Sequence, residues 1–178
     1  MSAPLPPGFC FQTPEVIYTD RSLVLAGPEE VNLLKRKAAT TPRRRCRLCA
    51  HPGPDAAQQE MLIVMHGESY VRPHRHFGKT ETLTVLEGEA EALIFDEAGD
   101  IAQVLRMTPY GQGGRFFYRM PERVFHGLVF RTEWLVYLET TSGPFDPARS
   151  EGAPWAPAEG APEAPAYAAA LARRASAR

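Results

Sequence analysis

Four residues of this 178-residue chain have the types and spacing of a metal site. His74 and His76 stand two apart in "YVRPHRHFGKTETLTVLEGEAEALIF", the stretch from Tyr70 to Phe95, and Glu81 follows them. In an extended strand residues two apart share a face, so the two imidazoles project together while Arg75 points away. A tight connection through Gly78 and Lys79 would return Glu81 beside them on the next strand, which predicts three ligands from one hairpin. The fourth is expected from His126, the only histidine downstream, in the otherwise apolar run "VFHGLVF". Three neutral imidazoles and one carboxylate suit one divalent transition metal per chain, and iron, manganese, nickel, cobalt and zinc are all compatible. In an octahedral field four protein ligands leave two positions for water, substrate or dioxygen, as catalysis requires; a closed tetrahedral zinc would be structural. A histidine by itself is more often a surface or satisfied core residue. The case rests on the alternation, the returning glutamate and the distant histidine occurring together.

Other chemistry-bearing residues are less directional. Cys46 and Cys49 in "CRLC" have redox spacing, and Cys10 or His51 would complete a zinc set, but the flanking "RRRCRLCAH" has the look of an extended segment. There, residues three apart face opposite ways, so ordinary reduced thiols are expected. His51 is a candidate for the mouth of the site. Arg72, Arg75, Lys79, Arg115, Arg119 and Arg123 lie near or between the histidine segments and can bind a carboxylate or phosphate, although alternating charges on strands more commonly solvate an outer face. Tyr118 and Tyr137 are acid or base candidates if they point inward, against the commoner role of core packing.

The elements that must position these groups are mostly strands. "GPEEVNLLKRKAAT", Gly27 to Thr40, has a proline and two acids where a helix begins, then Val31, Leu33 and Leu34 as its apolar face. Beyond it the spacing becomes that of short strands, predicted at 46–51, 60–66, 70–74, 82–86, 90–95, 101–107, 114–119, 124–130 and 134–140, with turns at "HGES" and "DEAGD". Another short strand is expected at "VIYTD". Many strands without intervening helices imply an antiparallel sandwich or barrel. The division read from composition is an N-terminal arm and helix over 1–44, a β-barrel over 45–149 and a Pro/Ala-rich C-terminal arm over 150–178. That arm is expected to be partly mobile, with Phe145 and Trp155 pinning it and a short helix at "AYAAALARRA".

A net charge of −1 gives no general attraction to nucleic acid or anionic membrane, the basic run Arg43 to Arg45 being local. No apolar stretch reaches the ~20 residues of a membrane span and the opening residues lack signal-peptide character, so a cytoplasmic location is expected.

The stretch from Gly67 to Gly88 resembles the first cupin motif: a glycine, a spacer, HxH, four residues, Glu81, six residues and Gly88, with the first spacer longer by one. "GRFFYRMPERVFHGLVF" is a looser match to the second motif. Pro121 and His126 stand at the right separation, while Arg123 replaces the motif's glycine and Phe130 its asparagine. The resemblance implies His74, His76, Glu81 and His126 as metal ligands, and an all-β jelly-roll barrel. More narrowly, "CAHP", "EMLIV", "YVRPHRH", "LEGEAEALIFDEAGDI", "PERVFHGLV", "LETTSGPFDP" and "APWAP", in that order from about Arg45 to Pro157, resemble the WbuC family of cupin-fold metalloproteins. Those are small bacterial proteins often encoded among genes for O-antigen and other surface polysaccharides, with no settled reaction.

The resemblance implies a saccharide or nucleotide-sugar ligand. Two classes stay open: an enzyme performing isomerisation, epimerisation or oxidation at the metal, and a non-catalytic module that captures a saccharide. A small polar or anionic partner is expected, sugar-derived on the strength of the resemblance. Nucleic acid and membrane are not expected, and a homodimer is consistent with the N-terminal arm and helix. Water-accessible coordination positions facing a polar cavity with a free acid or base would favour the enzyme.

Overall fold

The computed structural model describes residues 5–177; the first four residues of the predicted N-terminal arm, and residue 178, lie outside them. In chain order the elements are β1 (Phe9–Thr13), β2 (Val16–Thr19), α1 (Pro28–Ala38), β3 (Arg45–Cys49), β4 (Gln58–His66), β5 (His74–His76), β6 (Glu81–Glu87) and β7 (Ala90–Phe95). They continue with β8 (Ile101–Met107), β9 (Phe117–Met120), β10 (Phe125–Phe130), β11 (Trp134–Ser142), a 3₁₀ turn at Pro147–Arg149, β12 (Ser150–Gly152) and α2 (Ala164–Ser176). The strands form two sheets, one ordered β1-β2-β3-β4-β11-β6-β9 and the other β12-β5-β10-β7-β8. No helix among the described residues is long and apolar enough to cross a membrane.

Alternation along the strands divides the molecule into three apolar layers. Cys49, Met61, Ile63, Met65, Leu83, Val85, Leu135 and Tyr137 from the larger sheet meet Ala90, Ala92 and Met107 from the smaller one in the interior. The intervening residues of the same strands, Cys46, Leu48, Leu62, Val64 and Val136, turn outward and bury Leu34 and Ala38 of α1. Each such aliphatic burial contributes about 1.5–3 kcal/mol. On the far side, Leu93, Phe95, Phe125 and Val129 of the smaller sheet are covered by Trp155, Leu171 and Ala175 of the C-terminal segment. The helix α1 starts where Pro28 fixes φ and the Glu30 carboxylate accepts the Gly27 N–H at 2.8 Å.

Several boundaries differ from the sequence expectation. The strand expected at 70–74 begins only at His74, because Pro73 offers no N–H to a ladder. Phe9–Thr13 and Ser150–Gly152, assigned by composition to the terminal arms, are both strands: the first pairs with β2, the second with β5. Such short edge strands carry almost no periodic signal and are set by their partners. Trp155 is an anchor as expected, with its ring centroid 5.0 Å from Phe95 and its indole filling the space above Gly99, where a Cβ would come within 2.6 Å. Phe145 is not an anchor; it is 58% exposed.

Candidate metal centre

His74, His76, Glu81 and His126 each present a potential ligand atom, and these atoms lie within 4.8 Å of one another. The topology that brings them together is not a hairpin. β5, with His74 and His76, belongs to the smaller sheet, and β6, with Glu81, to the larger. The chain from His76 to Glu81 therefore crosses the barrel, and Glu81 reaches His76 from the opposite wall, Oε2 to Nε2 at 3.1 Å. The strand neighbour of His74 is instead His126, directly opposite it in the β5–β10 pairing. The hairpin expectation fails because the chain alternates between the two sheets from β4 to β7, with β4 and β6 in the larger and β5 and β7 in the smaller.

The imidazoles are oriented from outside the cluster. His74 Nδ1 donates to the Arg72 carbonyl and His126 Nδ1 to the Val124 carbonyl, both at 2.9 Å. A carbonyl can only accept, so both rings hold their proton on Nδ1 and leave Nε2 with a lone pair. His76 Nδ1 lies 2.9 Å from the Ser150 hydroxyl on β12. Glu81 is held in turn by the Tyr118 hydroxyl, which donates to Oε1 at 2.8 Å.

The donor set fits a metal. His126 Nε2 is buried with no hydrogen-bond partner among the described residues, and sits 3.3 Å from Glu81 Oε1. A lone pair facing a carboxylate oxygen at that distance needs a cation, either a proton on Nε2 or a metal shared by both. Nitrogen and oxygen donors in this ratio are those of a borderline divalent ion.

The electrostatics are those of an enclosed site. Burial, with the neighbouring His126, brings His74 down to about 4. Burial also opposes charging of Glu81, but His126 and His76 outweigh it and hold the carboxyl well below the usual range. Burial would likewise lower His126, yet Glu81 raises it above an ordinary histidine. The Tyr118 and Tyr137 hydroxyls are pushed well above an ordinary phenol by burial, and next by Glu81 for Tyr118 and by Glu139 for Tyr137.

The four residues open on a cavity of about 590 Å³, within the size range of small-molecule sites. Of the groups singled out in the sequence, Arg72, Lys79, Tyr118, Tyr137, Cys46 and Phe145 line it; Arg75, Arg115, Arg119, Arg123, His51 and Cys49 do not. Arg75 is taken up by Glu97 and Glu151 and stacks on Phe125 at 4.3 Å. His51 is buried away from the cavity, with Nδ1 accepting the Glu60 N–H at 2.9 Å. Cys46 and Cys49 face the α1 layer and the interior respectively, as opposite faces of one strand require. They are free, and burial pushes the Cys46 thiol up to about 12.

The sequence reading missed Arg45, Arg47 and Glu139. Arg43, Arg45 and Arg47 alternate into β3, and with Glu139 on β11 they line the cavity. That alternation was the available signal, obscured by reading Arg43 to Arg45 as a charge run. Glu139 gave none, being one acid in a β-branched strand. Its carboxyl makes no hydrogen bond or ion pair among the described residues, and burial together with Glu81 raises it to about 8.

Arg123 explains the departure from the second motif. It stands where that motif has glycine and adopts φ +67, the left-handed conformation a glycine would supply. Its N–H donates to the His76 carbonyl at 2.7 Å, so the turn before β10 is fastened to the strand carrying the histidines.

Two face-to-face sheets around an inward cluster of imidazoles and a carboxylate define a cupin-fold protein. The capsular polysaccharide assembling protein CapF from Staphylococcus aureus is similar over 64% of this chain and 32% of its own, at 16% identity and a TM-score of 0.50. KdgF from Halomonas sp. matches over 61% of this chain and 86% of its own (17% identity, TM-score 0.46). Oxalate decarboxylase from Bacillus subtilis matches over 61% and 27% (14% identity, TM-score 0.47). The chain thus spans about a third of CapF, and that likeness concerns the fold alone. A family model described as a domain of unknown function (DUF6016) matches residues 28–107, from α1 to the end of β8. No curated protein matches the chain.

Proposed function

We propose that the protein is a metal-dependent cupin of the WbuC type that isomerises or epimerises a sugar-derived molecule. His74, His76, Glu81 and His126 would hold one divalent metal. When bound, that ion supplies a Lewis acid for a ligand oxygen. The observation that carries an enzymatic rather than a purely binding role is Glu139. It is a carboxyl without a hydrogen-bond or ion-pair partner among the described residues, in the same cavity as the ligand set, and with no metal bound burial and Glu81 raise it to about 8. A cation held by Glu81 would offset that neighbour's contribution and leave burial, the larger cause, to keep the carboxyl above its ordinary value. There it holds and releases a proton nearer neutrality, as moving a proton at a carbon beside a carbonyl demands. Tyr118 would keep Glu81 in place, and Ser150 would keep His76 in place, leaving Glu139 free to move the proton.

The sugar assignment rests on the motif order shared with WbuC proteins, and the name of CapF, a capsular polysaccharide assembling protein, points the same way. The test is to incubate metal-loaded protein in heavy water with reducing sugars, sugar acids and keto-sugar nucleotides, following deuterium by NMR. Deuterium should enter beside the carbonyl of one class, about 10²–10⁴-fold more slowly with Glu139→Gln. Binding of a sugar with no exchange would assign the barrel to a capture module instead.

A further inference from the structure

The cations lining the cavity fall into two groups. Arg43 and Arg45 are neutralised: both pair with Glu15 and Glu159, Arg45 Nη2 reaching Glu159 Oε2 at 2.9 Å. Arg72 is spent on the Ala153 carbonyl, which it approaches with Nε at 3.1 Å and Nη2 at 2.6 Å. Arg47 and Lys79 differ from Arg43 and Arg45 in having no carboxylate at ion-pairing distance among the described residues, and Arg47 differs from Arg72 in that its Nε is buried without a hydrogen-bond partner. Arg47 does touch the Cys49 thiol, a neutral group. Both cations are near enough to Glu139 to favour its ionised form, yet neither pairs with it.

Uncompensated positive charge in an enclosed site costs desolvation energy that a structural role does not return. Arg47, on β3, also stands on the sheet opposite the histidines, and Lys79 lies on the β5–β6 connection that crosses between the two sheets. Register places Arg47 beside Ile63, which faces Tyr137, whereas Glu139 faces Leu83 one inward position further along. Arg47 therefore sits about 10 Å across two strands and about 7 Å along them from Glu139, a diagonal its own side chain partly covers. A molecule of hexose length can thus lie against Glu139 with one end and reach the Arg47 side chain with the other.

We propose that the cavity selects an oxyanion-bearing sugar, a sugar carboxylate or sugar phosphate, whose anionic end is held by Arg47 and Lys79 while its carbonyl end lies against Glu139 and the four-residue cluster. This specifies the substrate class of the site and rests on the sugar reading above. The planar guanidinium fork of Arg47 suits two oxygens of either anion, and the cavity's paired arginines are left to hold its walls.

The test is calorimetric titration of the metal-loaded protein with D-glucuronate, D-glucose 6-phosphate, D-glucose and the methyl ester of D-glucuronate. One or both anions should bind at least about 10-fold more tightly than the two neutral sugars, their relative affinity separating carboxylate from phosphate. Arg47→Met should remove most of that preference, Arg47→Lys should keep part of it, and Lys79→Met should weaken it. Metal content measured on each variant should not change, so a failed metal site would be seen separately from failed anion selection. Circular dichroism and thermal melting identify any variant that has not folded, and Arg47→Lys then carries the comparison. Equal affinity for charged and neutral sugars, or an anion preference untouched in folded Arg47 and Lys79 variants, would overturn the proposal.

Discussion

The two walls of the cavity are built on different principles. The smaller sheet presents His74, His76 and His126, three rings whose outer nitrogens are tied to Arg72, Ser150 and Val124. The larger sheet and the β5–β6 connection present ionisable groups: Glu81, Glu139, Tyr118, Tyr137, Arg47 and Lys79. One wall fixes neutral donors in place, as a metal requires, and the other places charge and exchangeable protons where a ligand would lie. Glu81 alone belongs to both tasks, which is why it needs Tyr118 behind it. The division teaches that losing metal and losing chemistry should be separable by choosing the wall.

The sharpest way to break this comparison is to remove one ring. His76→Ala should lower metal affinity by more than the ~10–100-fold typical of losing an outer partner, while Glu139→Gln on the opposite wall leaves metal content unchanged. Equal metal loss in both variants, measured by elemental analysis, would erase the distinction between the walls. Ser150→Ala comes next, with an expected ~10–100-fold loss of affinity in a competition titration and unchanged stoichiometry at saturating metal. An unaffected affinity would mean that His76 is oriented by its strand alone.

A pH prediction addresses the charged wall in metal-free protein. The Glu139 carboxyl is raised from 4.5 to about 8 by burial and Glu81. The folded state therefore binds its proton more tightly than the unfolded state, and this contribution to stability is full below pH 4.5. It falls as pH rises from 4.5 to about 8 and changes little above that. Glu139→Gln should flatten the corresponding fall in Tm; an identical Tm profile would place Glu139 in a water-like environment. The smallest effect is expected at Arg123→Gly. Relief of the left-handed conformation, about 1 kcal/mol, is offset by the greater freedom of glycine in the unfolded chain, so stability should stay within about 1 kcal/mol by denaturant melting. A larger loss would assign the Arg123 side chain, 5.7 Å over the Phe77 ring, a structural part.

What the sequence disclosed was local. The alternation of His74 with His76, the apolar frame around His126 and the turn glycine Gly88 are visible in one dimension. Gly88 adopts φ +83, with a Cβ position only 2.0 Å from the Trp134 carbonyl. The sheet partnership was not visible: the nearness of Glu81 to His76 suggested a hairpin, while the β-barrel sets them on opposing walls. Ser150 and Glu139 were hidden for a related reason. Each acts on the site through a strand pairing made 74 residues away for Ser150 and 56 for Glu139, β12 with β5 and β11 with β6, and nothing in their own neighbourhoods announces it. Arg123 was legible only as a misfit, since a sequence cannot say that a non-glycine residue keeps a glycine's conformation.

The central claim is that the four clustered side chains hold a metal. Elemental analysis of tag-free protein, with His126→Ala measured in parallel, tests it most directly. The expected result is about one divalent transition metal per chain in the wild type and almost none in a variant whose circular dichroism is unchanged. A folded wild type that carries no metal, and whose Tm does not move when iron, manganese, nickel, cobalt or zinc is added, would contradict the account.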